Sequence, residues 1–397
     1  MIFRSIFLIS ENFAFWIVLS LGFGLRLTAV LLVPDYFLFP DSNDYHSIAN
    51  NYLQNKGLIL FDTIYAVRPP LYSLFLAFLY FFGLGPLGVL VVQVFLGTAM
   101  IIFQYFLALM LFNRKIVALL ASLFLALDPF FILFGALLLT EILFSLIFLC
   151  LILLLHRLHF TERSFPWFYA GVLFGVGCLC RDALLGFIVF ALFFAFLRPK
   201  GFAKAFFLVA GAFVVIFPWT LRNWICLDEI VIITSKKGTN LYEAFGPGAT
   251  GGCAIMEMNL PQGVKEMNEA QQDRFLTQWT LQYIAQNPQN AIRLGYIKFL
   301  RFWNVSLNYE VLKKHPVNAI IILFNVLIYL FAALGFWFSE KKKIFILLCP
   351  ILYFTLLHLV FLGSVRYRVP IMPYLELLAA SGIVVSISSV FSKFKRD

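Results

Sequence analysis

Pro34-Asp35-Tyr36-Phe37-Leu38-Phe39-Pro40-Asp41-Ser42-Asn43-Asp44-Tyr45-His46-Ser47-Ile48-Ala49 is where the chain first leaves a long apolar run. Asp41 follows a proline and is placed to cap a helix running to about Gln54, with Gly57 as its stop. Along that helix Tyr45, Ile48, Ala49, Tyr52 and Leu53 recur at i, i+3, i+4, i+7 and i+8, one apolar stripe. Such a helix lies on a membrane surface rather than crossing it. Asp41 and Asp44 are neighbours at its start, so two carboxylates stand at the bilayer–water boundary. Spacing alone leaves two readings open: the pair serves the helix end and its dipole, or it serves chemistry.

The composition says that a membrane is there. Of 397 residues, 62% are hydrophobic, 49 are Phe and only 13% are charged. A soluble domain carries about twice that charge, and a globule of this size could not cover so much apolar surface. Disorder requires the opposite composition. A soluble enzyme, a DNA-binding domain and a disulfide-stapled secreted module are therefore excluded. A polytopic, all-α membrane protein remains.

About 20 apolar residues are needed per crossing. Ten stretches qualify: 13–33, 88–112, 116–134, 136–155, 167–181, 183–197, 204–221, 317–338, 344–362 and 370–390. The fifth and sixth are short and meet at Arg181-Asp182, as in a tight hairpin. Residues 71–83 are too few to span and read as a re-entrant or interfacial helix. The first run reads as a retained span, not a cleaved signal.

Lys and Arg in short loops set the orientation. Arg4, Arg114/Lys115, Arg157/Arg163, Arg198/Lys200/Lys204, Lys341–Lys343 and Lys393/Lys395/Arg396 share one side. That side is the cytoplasm, which puts both termini inside. The net charge of +10 is then mostly a topology signal, and no nucleic-acid partner is implied. The chain reads as one membrane domain, 1–397, with no repeat. Its long outward segments are 34–87 and 222–316, facing the periplasm if the cell is bacterial. Cys226 and Cys253 share the second of these and are free to pair.

Further along the first outer loop comes Arg68-Pro69-Pro70-Leu71-Tyr72. A residue before proline is held extended, and proline suits a first helical turn. Arg68 thus projects from a stiff joint at headgroup level, suited to a lipid phosphate or to plain interfacial anchoring. Other charges sit in apolar surroundings, where each costs about 2.5–3.5 kcal/mol on insertion scales. By the ten-span topology Asp41, Asp44, Arg68, Asp128, Glu141, Arg181, Arg222, Arg366 and Arg368 all lie near the outer leaflet. Scattered structural ion pairs have no need of one shared side. Convergence points to a polar cavity with carboxylates for acid–base work and arginines for an anion. Arg26 and Glu376, deeper in the first and last spans, are expected as a structural ion pair.

The second outer segment opens with a Gly-rich loop, Gly238 to Gly252, without the spacing of a nucleotide-binding loop. Residues 264–287 read as a polar amphipathic helix, and Pro288 opens an interfacial one bearing Ile292, Tyr296, Phe299, Leu300 and Trp303. No metal cage is visible, and no cofactor is certain. Asp41, Asp44 and His46 leave a divalent metal open.

Several short motifs run nearly end to end. They are Pro40-Asp41-Ser42 with Tyr45 and Ile48-Ala49, Arg68-Pro69-Pro70-Leu71-Tyr72, Asp128-Pro129 with Thr140-Glu141, Leu179-Cys180-Arg181, Pro218-Trp219 with Arg222-Asn223, Asn240-Leu241-Tyr242 before Gly248-Ala249-Thr250-Gly251-Gly252, and Arg366-Tyr367-Arg368-Val369-Pro370. Together they resemble the polytopic GT-C glycosyltransferases, in the protein-mannosyltransferase-like branch that includes the lipid A aminoarabinose transferases. The resemblance implies a GT-C fold of about ten transmembrane helices. It also implies sugar transfer from a polyprenyl-phosphate donor to a glycan, lipid or protein acceptor at the outer face of a bacterial inner membrane. Asp41 matches the family's essential loop Asp, and Arg68 takes the place of its phosphate-binding basic residue. Many relatives carry Asp-Glu where this chain has Asp41-Ser42, so Asp44 stands in for the second carboxylate or it is missing. Asp41 is then the expected base, oriented by Asp44 or Glu141, with inversion at the anomeric carbon. Arg68, Arg181, Arg366 and Arg368 are the expected ligands of the donor phosphate. The rival class is a transporter or flippase of a lipid-linked sugar, which ordinarily shows internal repeats and broken helices at the midplane.

Overall fold

The computed structural model describes residues 13–33, 35–253, 258–308 and 313–394. Arg4, Lys395 and Arg396, used above for orientation, lie outside them.

The described chain is helical, its only strand-like pairing being a bridge between Leu60 and Ile64. In order come α1 (Phe13–Leu32), α2 (Pro40–Leu53), α3 (Pro70–Phe81), α4 (Pro86–Phe112), α5 (Lys115–Leu127), α6 (Pro129–Gly135), α7 (Glu141–His159) and α8 (Trp167–Cys180). A 3-10 turn, Asp182–Phe187, leads into α9 (Ile188–Phe196) and α10 (Gly201–Leu227). The second outer segment holds α11 (Lys237–Phe245), α12 (Glu269–Gln286) and α13 (Pro288–Phe302). The chain closes with α14 (Val317–Phe338), α15 (Lys341–Val360), the short turn α16 (Val365–Arg368) and α17 (Met372–Phe394). Proline sits in the first turn of α2, α3, α4, α6 and α13, where its missing N–H has no helical partner to lose.

Seven described helices are long and apolar enough to cross a membrane, so the protein is a multi-pass membrane protein. An eighth crossing results if α5 and α6, bent by 45° at Asp128-Pro129, form one broken span. The stretches expected as fifth and sixth spans fold as α8, 14 residues long, and as the 3-10 turn plus α9. A 14-residue helix is about 21 Å long, short of a core about 30 Å thick. The expected span 136–155 is shifted to 141–159, because residues 136–140 form an irregular link after α6. That shift puts Glu141 at the first turn of its helix.

Small residues let the helices meet. Gly335 on α14 faces the Leu378 carbonyl of α17, and Gly382 on α17 faces the Phe331 carbonyl; a Cβ at either would collide with backbone. Close backbone approach of this kind is how helices associate where lipid removes the hydrophobic drive. Arg26 does not pair with Glu376 as expected. Its guanidinium donates to the carbonyls of Gly22 (3.0 Å), Ala126 (3.2 Å) and Leu125 (2.7 Å), satisfying the charge with backbone dipoles. Glu376 instead accepts from Gln104 at 3.2 Å. Cys226 and Cys253 are both free, so the pairing open to them is not made.

Candidate active site

Helix α2 starts two residues earlier than the capping reading requires. Phe39 is the N-cap, Pro40 opens the helix, and no side chain caps it. Asp41, in the first turn, is thereby released for another partner. Tyr45, Ile48 and Ala49 are buried as the stripe predicts, whereas Tyr52 and Leu53 are exposed.

The partner is Arg68. Pro69 is extended (φ −60°, ψ 142°), so the arginine leaves a stiff joint ahead of α3 and turns back onto α2. Its Nη2 lies 2.5 Å from Asp41 Oδ1 and 2.7 Å from Asp44 Oδ2, and its Nε donates to the same Asp44 oxygen at 3.0 Å. The other Asp41 oxygen, Oδ2, meets Arg366 Nη1 at 2.9 Å. Arg366 Nε continues to Glu141 Oε1 at 2.6 Å, and Arg181 Nη2 approaches that oxygen at 3.5 Å. Six residues from five places in the sequence thus form one alternating row: Asp44, Arg68, Asp41, Arg366, Glu141, Arg181. Three carboxylates balance three guanidiniums.

Aromatic faces back the cations. Arg68 stands over the Tyr45 ring at 5.6 Å and Arg366 over Phe39 at 4.9 Å. Arg181 lies 5.9 Å from Tyr367, a ring stacked on His358 at 4.8 Å. Burial differs between members of the row. The Asp41 side chain is 27% exposed and that of Glu141 is fully buried, so a substrate can reach the first and not the second.

Burial by itself disfavours the Asp41 anion, but Arg68, Arg366 and Lys236 outweigh it and hold its carboxyl below the ordinary carboxylate range. Arg68 is likewise desolvated, yet Asp41, Tyr45 and Asp44 keep its pKa above the usual value. Lys236, on the second outer segment, is lowered chiefly by burial and then by Arg68, while Asp41, Asp44 and Glu243 act the other way. Lys236 is not among the site residues expected from sequence; its one signal there is the pair Lys236-Lys237 immediately before the Gly-rich loop.

Three expected members stand apart. Arg368 is fully buried and donates to the carbonyls of Phe302 (2.9 Å) and Asn304 (2.7 Å) and to Asn325 Oδ1 (3.1 Å). Asp128 caps α6, accepting from Phe130 and Phe131 N–H. Arg222 donates to the carbonyls of Tyr65 and Leu58, each at 2.7 Å, and stacks on Trp219 at 4.7 Å. His46 bonds Tyr80 and Asn50, both at 2.9 Å. Among the described residues no three His, Cys, Asp or Glu gather as a metal cage. Asp41 and Asp44 both pair with Arg68.

Residues 67–222, less than half of the chain, match the family model of the dolichyl-phosphate-mannose-protein mannosyltransferases. The match takes in Arg68, Glu141 and Arg181 and leaves Asp41 and Arg366 outside. No curated protein matches the chain in sequence. Among solved structures, the archaeal oligosaccharyltransferase AglB from Archaeoglobus fulgidus, in complex with an inhibitory peptide and a dolichol-phosphate, aligns with a TM-score of 0.52 at 13% identity. The alignment covers 97% of this chain and 52% of AglB, so the chain spans about half of that protein's length. ArnT from Cupriavidus metallidurans, bound to undecaprenyl phosphate, aligns with a TM-score of 0.48 at 12% identity, over 95% of this chain and 79% of that one. The chain thus shares an all-helical fold with AglB, and its residues 67–222 match the protein-mannosyltransferase family model.

Proposed function

We propose that the protein is a membrane glycosyltransferase that moves a sugar from a polyprenyl-phosphate donor to an acceptor hydroxyl at the outer face of a bacterial inner membrane, with both termini in the cytoplasm. One observation carries the reading: Asp41, the most exposed carboxylate of the row, lies against the phosphate-type cations Arg68 and Arg366 beside a set of apolar helices. The family match over Arg68 supports it, as does the dolichol-phosphate in AglB.

In this reading the acceptor O–H gives its proton to Asp41 while its oxygen attacks the anomeric carbon. The bond from that carbon to the phosphate oxygen breaks, and its electron pair leaves with polyprenyl phosphate. Attack opposite the leaving group inverts configuration. Arg68, with Lys236 and Arg366 nearby, stabilises the charge that grows on the departing phosphate. Glu141 is too deep to touch substrate and orients Arg366 and Arg181. Asp44 is the second partner of Arg68.

A carboxylate tied at both oxygens is a weak base. A donor phosphate competes for Arg68, and each contact it draws from Asp41 raises that carboxylate's basicity. The row is therefore a resting arrangement which the donor itself opens.

The test uses protein purified in detergent with undecaprenyl-phosphate mannose, glucose and aminoarabinose as probe donors, and membranes of a strain lacking the gene as acceptor. Label should pass to an acceptor with release of undecaprenyl phosphate, and Asp41→Asn and Arg68→Ala should each abolish it. Full transfer by both variants would sink the assignment. Transfer without a second compartment also separates an enzyme from a flippase.

A further inference from the structure

Two cations of the site stand on separate segments, Arg68 ahead of α3 and Lys236 ahead of α11. One carboxylate joins those segments. Glu269, the first residue of α12, accepts the N–H groups of Tyr65 and Ala66 on Oε1, each at 2.8 Å. Its Oε2 accepts the Ser235 hydroxyl at 3.1 Å, and Ser235 N–H donates to the Ala66 carbonyl at 2.9 Å. Ala66 is two residues from Arg68, and Ser235 immediately precedes Lys236. The clamp thus closes within two residues of either cation.

Helix α12 is anchored for this task. Asn268 and Gln271 form a reciprocal capping box that fixes where its first residue stands. One turn beyond Glu269, Asp273 accepts the Gly238 N–H, and Gly238 packs so tightly on the Asp273 carbonyl that a Cβ would collide with it. Arg274 pairs with Glu229 at 3.3 Å. Residues 229–238 are therefore strapped along one helix, with Lys236 near the strap's end.

We propose that Glu269 is a positioning residue: by tying the Arg68 loop to the Lys236 strap it sets the separation of the two cations that receive the donor's phosphate. The proposal rests on the phosphate reading above and extends it to a residue that touches no substrate. Misplacement of about 1 Å in such a site costs up to about a hundredfold, so a clamp at this point matters to binding as well as to folding.

The experiment measures binding of undecaprenyl phosphate to the full chain in detergent, with thermal unfolding of each variant alongside. Glu269→Ala should raise Kd about tenfold. Glu269→Gln, whose carbonyl still accepts both N–H groups and whose amide can donate to Ser235, should restore Kd to within about threefold. If Glu269→Ala fails to fold, Ser235→Ala removes one arm and should raise Kd about threefold. Adding Glu269→Ala or Ser235→Ala to an Arg68→Ala/Lys236→Ala background should change nothing further, since a clamp acts only through what it positions. The proposal is overturned if Glu269→Ala and Ser235→Ala bind like wild type while Arg68→Ala/Lys236→Ala binds weakly. It is also overturned if clamp effects are equally large with both cations gone. Wild-type binding by Arg68→Ala/Lys236→Ala would instead bring down the phosphate reading itself.

Discussion

Arg366 Nε lies 2.6 Å from Glu141 Oε1, joining residues 225 positions apart in sequence. Glu141 is fully buried and holds Arg181 with its same oxygen, so it is the most buried member of the charged row.

Removing one partner of a buried ion pair leaves the other charge desolvated and alone, which costs about 3–5 kcal/mol. Glu141→Ala deprives Arg181 of its carboxylate and leaves Arg366 with Asp41 alone, and should lower the detergent unfolding temperature far more than Asp41→Ala, whose site is open to water. Glu141→Gln should fall between. Equal unfolding temperatures for wild type and Glu141→Ala would show that the row does not hold the fold.

Asp41 gives a prediction about pH. Its carboxyl is held below the ordinary value of about 3.9. Its contribution to stability is therefore full above that ordinary value and is lost as pH falls through the lower folded one. In the free enzyme the acid limb of kcat/KM should lie below about pH 4. Once donor phosphate draws Arg68 away, the carboxyl rises, so the acid limb of kcat should lie at higher pH than that of kcat/KM. Coincident limbs would mean that Arg68 stays on Asp41 through the reaction.

Much of this site was legible in the sequence, for identifiable reasons. A charge in an apolar run is rare enough to be noticed, which singled out Glu141, Arg181 and Arg366. Arg68 was marked by the prolines that stiffen its joint. The pairing order was not legible, because it depends on how α2, α7 and α16 meet across more than two hundred residues. Arg368 and Arg222 share with the site residues both a side of the membrane and motifs of the family resemblance, and neither signal shows what a guanidinium binds. Most of their partners are backbone carbonyls, which leave no trace in the side-chain sequence. Span limits suffered similarly: Asp128-Pro129 bends an apolar run whose composition gives no warning that residues 136–140 will be irregular.

Arg368 and Arg68 should therefore separate in experiment. Arg368 ties the end of α13 to α14 through three hydrogen bonds. Arg368→Ala should lower stability by several kcal/mol, since each buried acceptor left unpaired costs about 1–3 kcal/mol. Protein that remains folded should keep its affinity for undecaprenyl phosphate within about threefold. Arg68→Ala should do the reverse, losing affinity with a smaller change in unfolding temperature. Loss of affinity in folded Arg368→Ala would return that residue to the phosphate site.

Lys298 on α13 offers a test away from the reaction. Its Nζ sits 3.2 Å from the centroid of the Phe245 ring and donates to the Val360 carbonyl at 3.1 Å. Burial pushes this amine down to about 7. Between that value and the ordinary one of about 10.4, the unfolded chain binds a proton that the folded chain does not. Stability linked to Lys298 should therefore rise with pH across this window. Lys298→Met keeps most of the side chain's length and removes the titration. At pH 6.5 the variant should unfold at a higher temperature than wild type, with the gap closing by pH 9.5 as the lysine becomes neutral and keeps its bond to Val360. Parallel unfolding curves at the two pH values would show that the amine is charged in the folded protein, paired through water rather than buried against the Phe245 ring.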